Sequence, residues 1–121
     1  MRAPVLAAAA LLTVGMLGAG KSDPLARRIA GPPVRCIDLQ RLNGPEIVDS
    51  QTILYHQSGK RIWKTGPVGK CPSLRPLDTL IVDVYGGQLC RNDRFRTVSN
   101  GLSIPSGYCR FRDFTPYDRV K

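Results

Sequence analysis

The sequence predicts an all-β fold, a small barrel or sandwich of about six short antiparallel strands held by two disulfides. Three observations carry this expectation. After residue 30 there is no Ala, the strongest helix former, and Glu46 is the one Glu. Val, Ile, Thr and aromatic residues recur in short runs, with Gly or Pro every few residues. Four cysteines, Cys36, Cys71, Cys90 and Cys109, are spread over the same region.

The elements follow in order. Residues 36–42 form the first strand candidate. Residues 51–57 and 60–65 form a hairpin around a two-residue Ser58-Gly59 turn, where Gly accepts the positive φ that most residues resist. Residues 79–85, Thr-Leu-Ile-Val-Asp-Val-Tyr, are the clearest run, with Leu80, Val82 and Val84 on one face and Ile81, Asp83 and Tyr85 on the other. Gly86-Gly87 turns or bulges into Gln88-Leu89-Cys90, and Asn92-Asp93 makes another turn. Residues 94–99 and 108–114 complete the set, with Phe111, Phe114 and Trp63 expected in the core. Residues 73–77 admit one short helix, limited by Pro72 and Pro76. There is no βαβ pattern and no internal repeat.

The amino terminus has a different composition. Residues 1–20 hold 14 of the 51 apolar residues, both methionines and six of the eight alanines. Met1-Arg2 precede an uncharged run from Val5 to Leu17, and Gly18-Ala19-Gly20 supplies small residues for a signal peptidase. This is the pattern of a secretory signal, cleaved near Gly20-Lys21. The run is short and Ala-rich for a membrane span. Gly20 occupies the place that a lipidated Cys would need. The expected product is periplasmic or secreted, with no membrane span after processing. Residues 21–35, broken by Pro32-Pro33, are expected to form a flexible leader, and residues 36–118 a single domain.

Export determines how the cysteines are read. An even number in an exported chain of this size points to disulfides. A zinc site would pair its ligands at short spacing, whereas these cysteines lie 35, 19 and 19 residues apart, so neither metal nor cofactor is expected. A catalytic thiol would need a His partner, and His56 is the only His. Four cysteines allow three connectivities. The favoured one joins Cys71 to Cys90 and Cys36 to Cys109, the outer pair tying the first strand to the last, with the other two left open.

Several residues carry the chain's resemblance to a family of small exported proteobacterial proteins classed as a domain of unknown function. They are Cys36-Ile37-Asp38, Val48-Asp49 ahead of Thr52-Ile53-Leu54, Gly59, Cys71-Pro72 with Leu74, Leu89-Cys90 with Asp93, and Cys109 with Phe114-Thr115-Pro116. The resemblance covers residues 36–116. Arg112 departs from it, at a position where the pattern tends to have Gly. The resemblance implies an envelope location and brings no activity, substrate or catalytic residue.

Enzyme chemistry finds little footing. His56 lacks a Ser or Cys nucleophile and an acidic orienter nearby in sequence, so a small hydrolase built on it is the weakest reading. Asp38, Asp49, Asp83 and Asp93 fit turns and ion pairs with Arg better than a carboxylate pair around a cleft. Gly86-Gly87 has no Gly-x4-Gly-Lys-Ser/Thr pattern behind it.

The charge says more. Past residue 20, 17 basic against 9 acidic residues leave +8, and 13 of the chain's 18 basic residues are Arg. Alternation puts Arg94 and Arg96 on one face of their strand and Arg110 and Arg112 on one face of theirs. If the strands are neighbours, four guanidiniums share a surface. Such a surface suits an anionic envelope component or an acidic protein, because Arg grips carboxylate and phosphate bidentately. Tyr108, Phe111, Phe114 and Tyr117 interleave with these arginines, but export argues against nucleic acid. The expected role is a binding or accessory module. The alternative is a structural or stress-related envelope protein with no specific ligand, its arginines serving as a solvated face.

Overall fold

Short β-branched and aromatic runs separated by Gly, Pro and Asn become ten strands in the computed structural model, which describes residues 23–57, 59–99 and 101–120. In chain order they are β1 (Arg28–Ala30), β2 (Cys36–Asp38), β3 (Leu42–Asp49), β4 (Thr52–Gln57), β5 (Arg61–Thr65), β6 (Thr79–Val82), β7 (Gln88–Cys90), β8 (Arg94–Val98), β9 (Cys109–Arg110) and β10 (Thr115–Arg119). One 3-10 turn, Leu39–Arg41, separates β2 from β3, and Asp38 caps it by accepting from the Gln40 amide. The fold is all-β and every pairing is antiparallel.

The strands form a five-stranded sheet in the order β1-β10-β5-β4-β3, a three-stranded sheet β6-β8-β9 and a two-stranded ribbon β2-β7. Single bridges stitch them together. Pro67 pairs with Phe111 where β5 runs on toward β9, and Val34 pairs with Phe114 ahead of β10. The core lies where the three meet, around Ile37, Ile53, Tyr55, Leu74, Leu89 and Phe95 with Phe111 and Phe114. Phe111 sits between Phe95 and Phe114, with ring centroids 4.4 and 5.6 Å away. Trp63 is also buried, as expected, and its indole donates to Gln57 Oε1 at 2.8 Å.

Several expectations need correction. The cysteines bond as Cys36–Cys90 and Cys71–Cys109, not as Cys71–Cys90 and Cys36–Cys109. Cys36 faces Cys90 in register across β2 and β7. Cys71–Cys109 ties the 71–78 loop to the start of β9. The first strand does meet the last, but through the hydrogen-bonded ladder of β1 and β10.

Residues 28–30, placed in a flexible leader, are β1 itself, and the domain therefore begins before Cys36. Residues 1–22, the expected signal segment, lie outside the described residues. No helix of the described residues is long and apolar enough to cross a membrane.

Two strands escape pattern reading because each contains Pro. β3 carries Pro45 beside Gly44 and is bulged there, which an edge strand tolerates. β10 carries Pro116 opposite Trp63, between β1 and β5. Its carbonyl accepts from the Gly31 amide, and a Cβ on Gly31 would stand 3.1 Å from the Pro116 ring. The β4–β5 ladder ends at Gln57 opposite Arg61 rather than at Lys60, and Gly59 takes φ +82° beyond it. In place of the expected helix over 73–77, turns at 72–73 and 76–77 flank Leu74, which is fully buried with its amide bonded to the Cys71 carbonyl. Gly86-Gly87 makes the expected tight turn between Tyr85 and Gln88.

Candidate anion-binding face

β8 alternates strictly. Phe95 and Thr97 are buried, which turns Arg94, Arg96 and Val98 to the outer face. On β9, Arg110 stands directly opposite Arg94, while Phe95 faces Cys109. One residue further along, Tyr108 comes level with Arg96. Its ring takes both cations: the Arg94 guanidinium carbon is 4.3 Å from the centroid and that of Arg96 is 4.9 Å away. On the other side, β6 sets Ile81 opposite Arg96.

Each arginine is held differently. Arg94 pairs with Asp83 at 3.2 Å. Arg110 donates to the Asn92 carbonyl at 3.2 Å and has no ion pair among the described residues. Arg96 has no ion pair among the described residues, and its buried Nε has no hydrogen-bond partner. The face therefore gathers three guanidiniums, two of them over the Tyr108 ring and the third opposite Arg94, with Asp83 the one carboxylate ion-paired to them among the described residues. Like charges directly opposite on adjacent strands repel, so this register costs stability unless the stacking and Asp83 offset it.

The expected fourth member is elsewhere. Arg112 donates through its amide to Gly66 and through Nε to the Pro67 carbonyl, and its NH2 reaches Gln51 Oε1 at 3.3 Å. β9 ends at Arg110, and Phe111 then crosses to pair with Pro67, carrying Arg112 to the β5 side. Arg112 lines a shallow concavity there with Arg91 and Asp113, which are 3.6 Å apart. Counting by twos through residues 108–114 missed this because the strand is only two residues long. Tyr108 was visible as a neighbouring aromatic, but its position between the arginines depends on the β8–β9 register.

The other candidates are occupied in ordinary ways. His56 lies half-exposed on β4, and its Nε2 is 3.0 Å from Glu46 Oε1, the one side chain hydrogen-bonded to it among the described residues. Asp49 accepts from the Gln51 amide and Asp93 from the Cys90 amide. Burial pushes the Tyr55 phenol well above its usual range, so it stays neutral. Among the described residues no group of His, Cys, Asp and Glu is placed to hold a metal ion. A groove of about 870 Å³ runs between β3 and residues 76–78 and carries Asp23, Glu46 and Asp78. Those carboxylates make it unlike an anion site.

Comparison with protein-family models, curated proteins and solved structures gave no match.

Proposed function

We propose that this chain is an exported β module, periplasmic or secreted, that binds an anionic partner of the cell envelope through Arg94, Arg96 and Arg110. The observation that carries the reading is the direct opposition of Arg94 and Arg110, with the unpaired Arg96 beside them on the Tyr108 ring. A sheet that only needed solubility would intersperse its charges. This one gathers three cations where they repel, and an incoming phosphate or carboxylate relieves that repulsion while accepting bidentate hydrogen bonds. The two disulfides fit an oxidising compartment. The resemblance to small exported proteins, carried by the same cysteine contexts, points the same way. A binding role is preferred to catalysis because the arginines sit on an open sheet face.

A second reading has one observation in its favour. Arg94 and Arg110 already have partners within the chain, as the arginines of a structural envelope protein would.

Titrating fluorescent polyphosphate against the folded domain separates the two. Under the binding reading, affinity falls steeply between low and moderate salt, and Arg96→Glu with Arg110→Glu lowers it by at least about tenfold. Arg112→Ala leaves it unchanged. Equal binding by wild type and the double variant, or none by either, would refute the role.

A further inference from the structure

The register that builds the arginine face also gathers exposed aliphatic side chains at one end of the same sheet. Thr79 pairs with Val98, so residue 77 comes level with the exit of β8. The 99–107 loop leaves from that point and returns into β9. Leu77 is 88% exposed, Ile104 82% and Leu102 65%; the last two lie in this loop, where the Leu102 amide donates to the Ser99 carbonyl just past β8. Burying them would be strongly favourable, yet nothing among the described residues covers them.

The loops that carry them are held firmly. Cys71–Cys109 ties the 71–78 loop to β9, and Thr97 Oγ1 donates to the Ser73 carbonyl at 3.0 Å. Arg75 reaches Ser99 Oγ at 3.3 Å, which joins the two loops directly. The Ser106 amide donates to the Thr97 carbonyl at 2.7 Å, and Ser106 Oγ accepts from the Thr97 amide. The aliphatics therefore project from a built platform. Arg96 lies three residues before Ser99, about 10 Å along the strand, with Tyr108 across from it.

We infer that this end of the β6-β8-β9 sheet docks on an anionic lipid bilayer. Leu77, Leu102 and Ile104 enter the interface, and Arg94, Arg96 and Arg110 meet the headgroup phosphates. The inference rests on the anion-binding reading and assigns its partner. Charge complementarity selects the occupant: an apolar tip beside a cationic face matches the acyl boundary and the phosphate layer, which lie one above the other in a bilayer. Tyr108, an aromatic with a polar tip, suits the level between them. A soluble acidic protein would use the arginines but has no need of three bare aliphatics. Leu77 borders the groove that carries Asp23, Glu46 and Asp78, where Asp78 pairs with Arg75 at 3.6 Å and Glu46 lies 3.0 Å from His56.

Co-sedimentation with large unilamellar vesicles tests this. One set contains equal parts phosphatidylglycerol and phosphatidylcholine, the other phosphatidylcholine alone, and polyphosphate serves as the soluble anion. Wild type is expected to pellet with the phosphatidylglycerol vesicles and not with phosphatidylcholine alone. Leu102→Ser with Ile104→Ser should lower vesicle partitioning by at least about tenfold, while polyphosphate affinity is kept. Arg96→Glu with Arg110→Glu should lower both. Leu102, Ile104 and Arg110 are exposed and Arg96 is half-buried, and an unchanged thermal midpoint verifies folding of each variant. Polyphosphate binding without vesicle binding, or vesicle binding indifferent to the Leu102 and Ile104 changes, overturns the bilayer assignment and leaves the anion-binding reading standing. Equal binding to phosphatidylcholine alone also overturns it. Binding to neither probe refutes both.

Discussion

Replacing Cys71 and Cys109 together by Ala removes the cross-link that holds the 71–78 loop against β9. The two residues are 38 apart in sequence, and the chain-entropy relation for a loop of that size gives about 4 kcal/mol of lost stability. A domain of this size has roughly 5–15 kcal/mol in total, so the loss is a large fraction of it. Urea unfolding followed by the fluorescence of Trp63, the single and buried Trp, reads this directly. With a slope of about 1.5 kcal/mol per molar, the midpoint should fall by about 2.5 M. A mismatched control checks the connectivity. Cys36→Ala with Cys109→Ala strips a partner from each bridge, so thiol titration of the oxidised protein should find Cys71 and Cys90 both free. A loss below about 1 kcal/mol in the first variant, or no free thiol in the second, would refute the reasoning.

Three further outcomes are expected. Gly66→Ala puts a Cβ against the Gln51 carbonyl, with no flexible side chain to yield, and should cost about 3 kcal/mol in equilibrium unfolding. Phe111→Ala empties the space between Phe95 and Phe114 and should cost about 3–5 kcal/mol by the same measurement. Asp118 accepts twice from Arg61, at 2.7 and 2.8 Å, and these hydrogen bonds hold its carboxyl below the usual range. A carboxyl depressed on folding contributes stability above its unfolded value near about pH 4, and loses it as pH falls through the folded value. Asp118→Asn should therefore cost about 0.2–1 kcal/mol near neutral pH, because the pair is about half-exposed and screened, and nothing in strong acid. A pH-independent difference would refute that account.

Strand type was legible wherever a strand-forming run goes unbroken by Pro. β4, β5 and β6 follow from their β-branched and aromatic composition, β8 from strict alternation, and Trp63, Phe111 and Phe114 are core residues as their size and aromatic character predict. β1, β3 and β10 were not legible. β1 is three residues long, and the other two carry Pro, which is admitted by its place in the ladder rather than by local propensity. The arginine face was half legible. Alternation paired Arg94 with Arg96, but continuing it past Arg110 assumed a strand that the chain does not keep.

The sequence by itself determined that the domain is all-β, that its cysteines belong in disulfides, and that its carboxyl-terminal third is rich in Arg. These are properties of composition and short-range period, which each residue carries wherever it sits. Tertiary structure alone decided which cysteines meet, that β1 closes on β10, and that Arg94 and Arg96 stack on Tyr108 with Arg110 opposite Arg94 while Arg112 turns away. It also decided that Leu77, more than twenty residues from Leu102 in the chain, shares an end of the sheet with it. Long-range register places these groups, and register is set by how whole strands bury their inner faces against one another, which no local stretch of sequence encodes.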